Sequence, residues 1–246
     1  MNESIWIGFD SREAAAYAVA VHSIKSRLSR PMPISGLELS DLMAHGLYKR
    51  PTKAFIYEGQ RHLVDVLSVR DDYDGRMSTE FAISRFLVPH LAGSGWALFM
   101  DCDVLARCDI AKLFALRDPD KAVMCVKHSY TPFTSIKMDG QPQTRYSRKN
   151  WSSVTLWNVE HPSNRKLTLD MVNTVPGKEL HNFCWLNDDE IGALPLEWNW
   201  LAGESEKVDN PLLVHHTLGS PCMVGYESAP FSDEWRKELT GWAVRP

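Results

Sequence analysis

The chain has 246 residues, 44% hydrophobic and 24% charged, with 27 Lys and Arg against 31 Asp and Glu for a formal net charge of −4. Such a composition fits one α/β domain with a large core and excludes disorder over most of the length, and the acidic balance gives no positive field for a phosphate backbone, so nucleic acid is excluded as the main partner. The five cysteines, at 102, 108, 125, 184 and 222, contain no C-x-x-C pair and fit neither a disulfide framework nor a cysteine zinc site, which points to the reducing cytoplasm. No signal-peptide pattern opens the sequence and no apolar run approaches the roughly 20 residues of a membrane span.

Residues 4–10 (SIWIGFD) read as a buried strand that turns at Gly-Phe-Asp-Ser into an Ala-rich helical stretch over 12–28. A weaker strand follows over 33–39, and 57–74 mixes short apolar and charged runs without a clear period. Residues 78–91 predict a helix, capped by Ser78 or Thr79, with Glu80 in its first turn and Pro89 at its end. After the Gly93-Ser94-Gly95 break, Trp96 to Met100 is a strand buried on both faces. A short helix is expected over 109–116, with strands over 122–126 and 153–159. The unpatterned stretch 129–150 between them reads as a loop that covers substrate. The alternation of strands and helices, with no repeat or linker, predicts one α/β domain built on a mainly parallel sheet.

Two segments carry chemistry. In WALFMDCDVL, residues 96–105, an apolar strand runs straight into Asp101 and Asp103, one residue apart and so on one side of an extended chain. Ligands of open α/β sheets collect at the carboxyl ends of strands, and paired carboxylates there suit a hard divalent cation that shares its sphere with water and phosphate. A bare Asp-x-Asp is commonly a surface turn, but flanking apolar runs argue against simple solvation here. In LLVHHTLGSPC, residues 212–222, a second buried strand delivers His215 and His216, of which alternation turns only one toward a given face. Imidazole is a good manganese ligand, although a strand-end histidine is often only a structural hydrogen-bonder.

These residues resemble the GT-A-fold glycosyltransferases, and among them the retaining family 8 group that includes bacterial galactosyl- and glucosyltransferases and glycogenin. The resemblance rests on IGFDS at 7–11, SRFLVP at 84–89, FMDCDVL at 99–105, LPLEWN at 194–199 and HTLG at 216–219, in the family's order along nearly the whole chain. It implies a Rossmann-like GT-A domain with a nucleotide-binding half (1–105) and an acceptor-binding half (106–246). It also implies transfer of a hexose from a nucleotide sugar, commonly a UDP-sugar, to a carbohydrate or other hydroxyl acceptor with retention of configuration. Asp101, Asp103 and His216 would hold Mn2+ or Mg2+; Gly8, Asp10 and Ser11 would lie by the nucleoside; Arg85 would touch donor sugar and phosphate, unless it is a surface residue paired with an acid such as Glu80. Gly219 would let the backbone approach a phosphate.

The sequence departs from the family pattern at three places. Cys222 stands where the family has a Lys for the β-phosphate, and Trp151, with Asn150 beside it, stands where an Asn faces the donor sugar. The Asp-Gln pair near the anomeric carbon has no clean counterpart, which leaves Glu179, His181 and the Asp188-Asp189 pair as candidates, with Trp185, Trp198 and Trp200 readable as core or as a sugar platform. Two other readings remain: a haloacid-dehalogenase-like phosphatase, whose nucleophile strand also ends in Asp-x-Asp but usually opens the domain, and a catalytically silent nucleotide-sugar-binding protein.

Overall fold

The computed structural model describes residues 2–71, 73–129 and 148–244. The covering loop expected at 129–150 lies outside the described residues except at its two ends. β1 (Glu3–Gly8) opens the chain and α1 (Ala14–Lys25) follows one turn of 3₁₀ helix at Ser11–Glu13. Asp10 caps that turn by accepting the Arg12 N–H at 2.9 Å, so the helix expected over 12–28 begins later and ends sooner. β2 (Ile34–Leu37) and α2 (Leu39–Ala44) complete the opening unit.

The stretch without a clear period folds as an antiparallel meander of β3 (Thr52–Tyr57), β4 (Gln60–Asp65) and β5 (Arg76–Met77). Its first turn is only two residues, Glu58 and Gly59, both at positive φ (50° and 76°), the geometry that matches hairpin twist. Glu at the first of these positions hides the turn, because Asn-Gly or Asp-Gly is its usual signature.

The helix expected over 78–91 is also different. Residues 80–83 are turns, Ser84–Leu87 is 3₁₀, and α3 (Val88–Ala92) begins only after them. Pro89 therefore sits in the first turn of a helix rather than at its end, where its missing N–H costs nothing. β6 (Trp96–Met100), β7 (Val104–Ala106), α4 (Ala111–Phe114) and β8 (Val123–Cys125) follow. After them come β9 (Val154–Asn158), α5 (Leu169–Thr174), α6 (Gly177–His181), β10 (Ile191–Ala193), β11 (Trp200–Leu201), β12 (Leu213–His215) and α7 (Ser232–Ala243).

The central sheet has the order β10-β8-β9-β6-β1-β2. It is mainly parallel, with β9 alone running against its neighbours β6 and β8. Trp96 to Met100 are all buried, as an unbroken apolar run demands, which fixes β6 in the middle between β1 and β9. Burying each large side chain there contributes roughly 1.5–3 kcal/mol. A smaller sheet, β11-β12-β7, lies just past the end of β6 and carries the chain from the two aspartates back beside the two histidines. α1 is held to α7 by Glu238, which meets both His22 (2.6 Å) and Arg27 (2.6 Å). Trp185, Trp198 and Trp200 are buried, so they pack the core and form no sugar platform; Trp185 stacks on Trp157 at 6.2 Å. Among the described residues no helix is long and apolar enough to cross a membrane.

Candidate metal and donor site

Asp101 and Asp103 lie in the turn that joins β6 to β7, not in a strand, yet their carboxylates still converge. One ligand atom from each, with one from the His215 ring, all fall within 4.8 Å of one another. The position of the turn is fixed on two sides: the Asp101 N–H donates to Ser153 O at the start of β9 (2.9 Å), and the His216 N–H donates to Asp103 O beyond β12 (3.0 Å).

The histidine expected at the metal is corrected here. His215, the last residue of β12, points its Nε2 to within 3.1 Å of Asp103 Oδ1, whereas His216 turns away and its Nε2 meets Pro230 O at 2.9 Å. Alternation does separate the two rings, but the phase is opposite to the one that the His-x-x-Gly spacing implied. Asp103 precedes the paired residues of β7, so the strand's pleat does not dictate which side its carboxylate takes.

The group fits a divalent cation. Asp101 Oδ1 and Asp103 Oδ1 are buried and neither has a hydrogen bond of good geometry, although Arg85 Nη1 lies 2.8 Å from the first and His215 Nε2 lies 3.1 Å from the second. Two buried, unsatisfied carboxylate oxygens beside an imidazole are the donor set a hard or borderline divalent ion takes. Burial pushes the Asp101 carboxyl up to about 6, against the pull of Arg85 and His215. Burial is the largest influence on Asp103 and raises it, but the charge and close contact of His215, with the His216 charge added, together outweigh this and the net shift is downward. His215 is correspondingly raised, because Asp103 overcomes its desolvation. Close by, burial and then the Asp103 charge push Glu13 up to about 8, while the Cys102 thiol donates to its Oε2 at 3.0 Å.

A cavity of about 870 Å3 opens over this group. Of the candidate site residues read from the sequence, Arg85, Asp101, Asp103, Asn150, His181 and His215 line it. Arg85 is 5% exposed and is therefore no surface residue; its Nη1 also donates to Ser152 O at 2.9 Å. His181 Nδ1 meets Ser152 Oγ at 2.7 Å. Glu179 and Asp188 are exposed and do not line the cavity, and Asp188 pairs with Arg148.

Gly8, Asp10, Ser11 and Gly219 also fall outside the lining. Asp10 is fully buried with both oxygens engaged, by Arg12 and by the Glu80 N–H, and Ser11 donates to Glu80. The two glycines have packing reasons: a Cβ at Gly8 would lie 2.5 Å from the Phe81 ring, and one at Gly219 2.6 Å from Tyr226.

The structure also separates Asn150 from Trp151. Asn150, at φ 63°, lines the cavity and its buried Nδ2 has no hydrogen-bond partner, whereas the Trp151 indole donates to His128 O at 3.0 Å and lines no part of it. Lys149, buried, and Lys178, exposed, line the same space. Sequence reasoning missed Glu13, Lys149 and Lys178, since no motif marks them and the fold alone carries them to the cavity.

No protein-family model matches the chain. It is 43% identical over 241 residues to Protein CDI of Arabidopsis thaliana, a match covering 96% of this chain and 85% of that protein. Among solved structures, the bifunctional glycosyltransferase WbbM superposes with a TM-score of 0.62 at 14% identity, over 97% of this chain and 49% of its own. GlyE of Streptococcus pneumoniae TIGR4 gives 0.60 at 12% identity, over 99% of this chain and 62% of that one. The galactosyltransferase LgtC, solved with donor and acceptor sugar analogues, gives 0.55 at 12%, over 99% of this chain and 97% of that one. The chain thus spans about half of WbbM, under two thirds of GlyE and nearly all of LgtC. At these identities the likeness establishes a shared fold.

Proposed function

The chain belongs to the family of Protein CDI and folds like the GT-A glycosyltransferases, and we propose that it is a metal-dependent glycosyltransferase that moves a hexose from a nucleotide sugar to an acceptor hydroxyl. The observation that carries this reading is the convergence of Asp101, Asp103 and His215 at the floor of the cavity, at the carboxyl ends of β6 and β12. A UDP-sugar donor, retention of configuration and kinship with family 8 follow from the motif order, with nucleotide held mainly by residues 1–105 and acceptor mainly by 106–246. A Mn2+ or Mg2+ ion held by Asp101, Asp103 and His215 would neutralise charge on the departing diphosphate.

The chain's own residues supply the rest. Arg85, in the cavity wall, holds Asp101 in place through its planar guanidinium and keeps a positive charge beside the site. Lys149 and Lys178 bring positive charge to the same space, which offsets the missing cation at Cys222, a residue outside the cavity. Asn150 offers its unpartnered amide N–H groups to sugar hydroxyls. Of the three candidates for the reacting face, His181 is the one the cavity wall contains, and it stands there as a hydrogen-bonding group beside Ser152. On the meander side Tyr57 offers a half-exposed ring on which an acceptor sugar can stack.

The test is donor turnover: the protein with Mn2+ and a panel of nucleotide sugars, following release of nucleoside diphosphate. Release or transfer that stops with EDTA and with Asp103→Ala is expected. Binding of donor without any turnover would instead support the silent binding protein, and liberation of phosphate from phosphomonoesters would support the phosphatase.

A further inference from the structure

Asn199, fully buried at the end of the LPLEWN segment, touches neither the cavity nor the carboxylates. Four groups surround its amide. His215 Nδ1 lies 3.0 Å from Oδ1; Ser153 Oγ (2.9 Å), His128 Nε2 (3.1 Å) and Asn150 O (3.4 Å) lie by Nδ2.

The direction of every bond in this cluster follows from one carbonyl. Asn150 O can only accept, and Ser153 Oγ lies 2.7 Å from it, so the Ser153 hydroxyl proton is committed there. Ser153 Oγ must then accept from its other neighbour, which makes that atom of Asn199 the NH2 group. Oδ1 is therefore the atom facing His215, and as an acceptor it requires a proton on His215 Nδ1. The remaining ring nitrogen, Nε2, is the one aimed at Asp103 and the metal position. The second NH2 proton meets His128 Nε2, whose ring burial keeps neutral and so able to accept.

We infer that Asn199 is a positioning residue that holds the Nδ1 proton of His215, so that the Nε2 lone pair is presented to a divalent cation between Asp101 and Asp103. The inference deepens the proposed function and rests on its metal site. Ser153 couples the two halves of that site, since its main-chain oxygen anchors the Asp101 N–H while its hydroxyl fixes the Asn199 amide. A metal-bound histidine whose other nitrogen loses its partner typically loses about 10–100-fold in metal affinity.

The experiment compares wild type, Asn199→Leu and Asn199→Asp. Each is titrated with Mn2+ alone by calorimetry, its melting temperature is measured, and the protonation of the His215 ring nitrogens is read by 15N NMR, without metal and with Mg2+. Asn199→Asp keeps an acceptor for Nδ1–H and should bind Mn2+ within a few-fold of wild type. Asn199→Leu should lose about 10–100-fold, together with the protected Nδ1 proton signal. Wild-type affinity in a folded Asn199→Leu, or a wild-type His215 with Nδ1 unprotonated, overturns the inference. If Asn199→Leu does not fold, the wild-type 15N spectrum decides: a protected proton on His215 Nδ1 supports the inference, and an Nδ1 without a proton overturns it. If wild type binds no Mn2+, the metal reading fails separately; a protected Nδ1 proton lost on Asn199→Leu then still supports the positioning role, and its persistence overturns it.

Discussion

Two arginine–aspartate pairs, Arg50–Asp65 and Arg85–Asp101, each put their aspartate in the cavity wall, and they are finished to different degrees. Arg50 and Asp65 tie the meander to α5 and to Val175 at its end. Nε and Nη2 grip the two carboxylate oxygens (3.1 and 2.6 Å), Ser68 adds a hydroxyl, and Nη1 satisfies the carbonyls of Val172 and Val175 (2.6 and 2.7 Å). Arg85 and Asp101 make the looser pair. One contact is an ion pair without hydrogen-bond geometry at 2.8 Å, the other is long at 3.4 Å, and Arg85 spends its remaining donors on Ala82 and Ser152. A pair whose oxygens are all occupied can only hold the fold together; a pair with an open buried oxygen retains capacity for something else.

Substitutions should separate the two kinds of site. The largest effect is expected from Asp103→Ala, which removes one of the three proposed metal ligands from a turn outside the strands. Activity should fall at least about 1,000-fold, or roughly 4 kcal/mol of transition-state stabilisation, while the melting temperature in EDTA is kept; full turnover by this variant would remove the metal from the account. Arg50→Met should do the reverse. Leaving Asp65 buried and unpaired costs about 3–5 kcal/mol, measurable by urea denaturation, and the double variant Arg50→Met/Asp65→Leu should regain most of it. Equal destabilisation in single and double variants would show that the pair is not what holds the meander.

Arg85→Lys keeps the charge but loses the fork that orients Asp101, and about a 10–100-fold loss in activity is expected. Unchanged kinetics would leave Arg85 a packing residue. The smallest effect concerns Glu13, whose carboxyl is pushed up to about 8 by burial and by Asp103. An acid with a raised folded pKa keeps in the folded state a proton that the unfolded chain releases, so stability falls as pH rises from the ordinary carboxylate range to about 8. Glu13→Gln removes that dependence: in EDTA its melting temperature should exceed wild type at pH 8, and the advantage should vanish near pH 4.5. A constant difference across pH would contradict the burial argument.

Much of this was legible in the residues themselves. The unbroken apolar run of Trp96 to Met100 placed β6 at the centre of the sheet, and Asp101 and Asp103 at its end named two of the three residues that converge. The choice between His215 and His216 was not legible, because the phase of a strand depends on which neighbour it pairs with, and a four-residue motif carries no information about β7. The meander escaped for a local reason, a two-residue turn made by Glu58-Gly59 without its usual asparagine. Asp10 and Gly8 lie outside the cavity lining, and capping and close packing select at these positions the same residue types that nucleotide binding does. Asn199 was visible within LPLEWN, but its task depends on Ser153 and His128, 46 and 71 positions away in the chain.

In the proposed function Asp101, Asp103 and His215 together hold one divalent ion. Calorimetric titration of Mn2+ into wild type, His215→Ala and His216→Ala, each saturated with UDP, tests it most directly. One ion bound by wild type is expected, with the affinity lost on His215→Ala and nearly retained on His216→Ala, whose Nε2 meets Pro230 O. Loss of binding that follows His216 while His215→Ala behaves as wild type would contradict it.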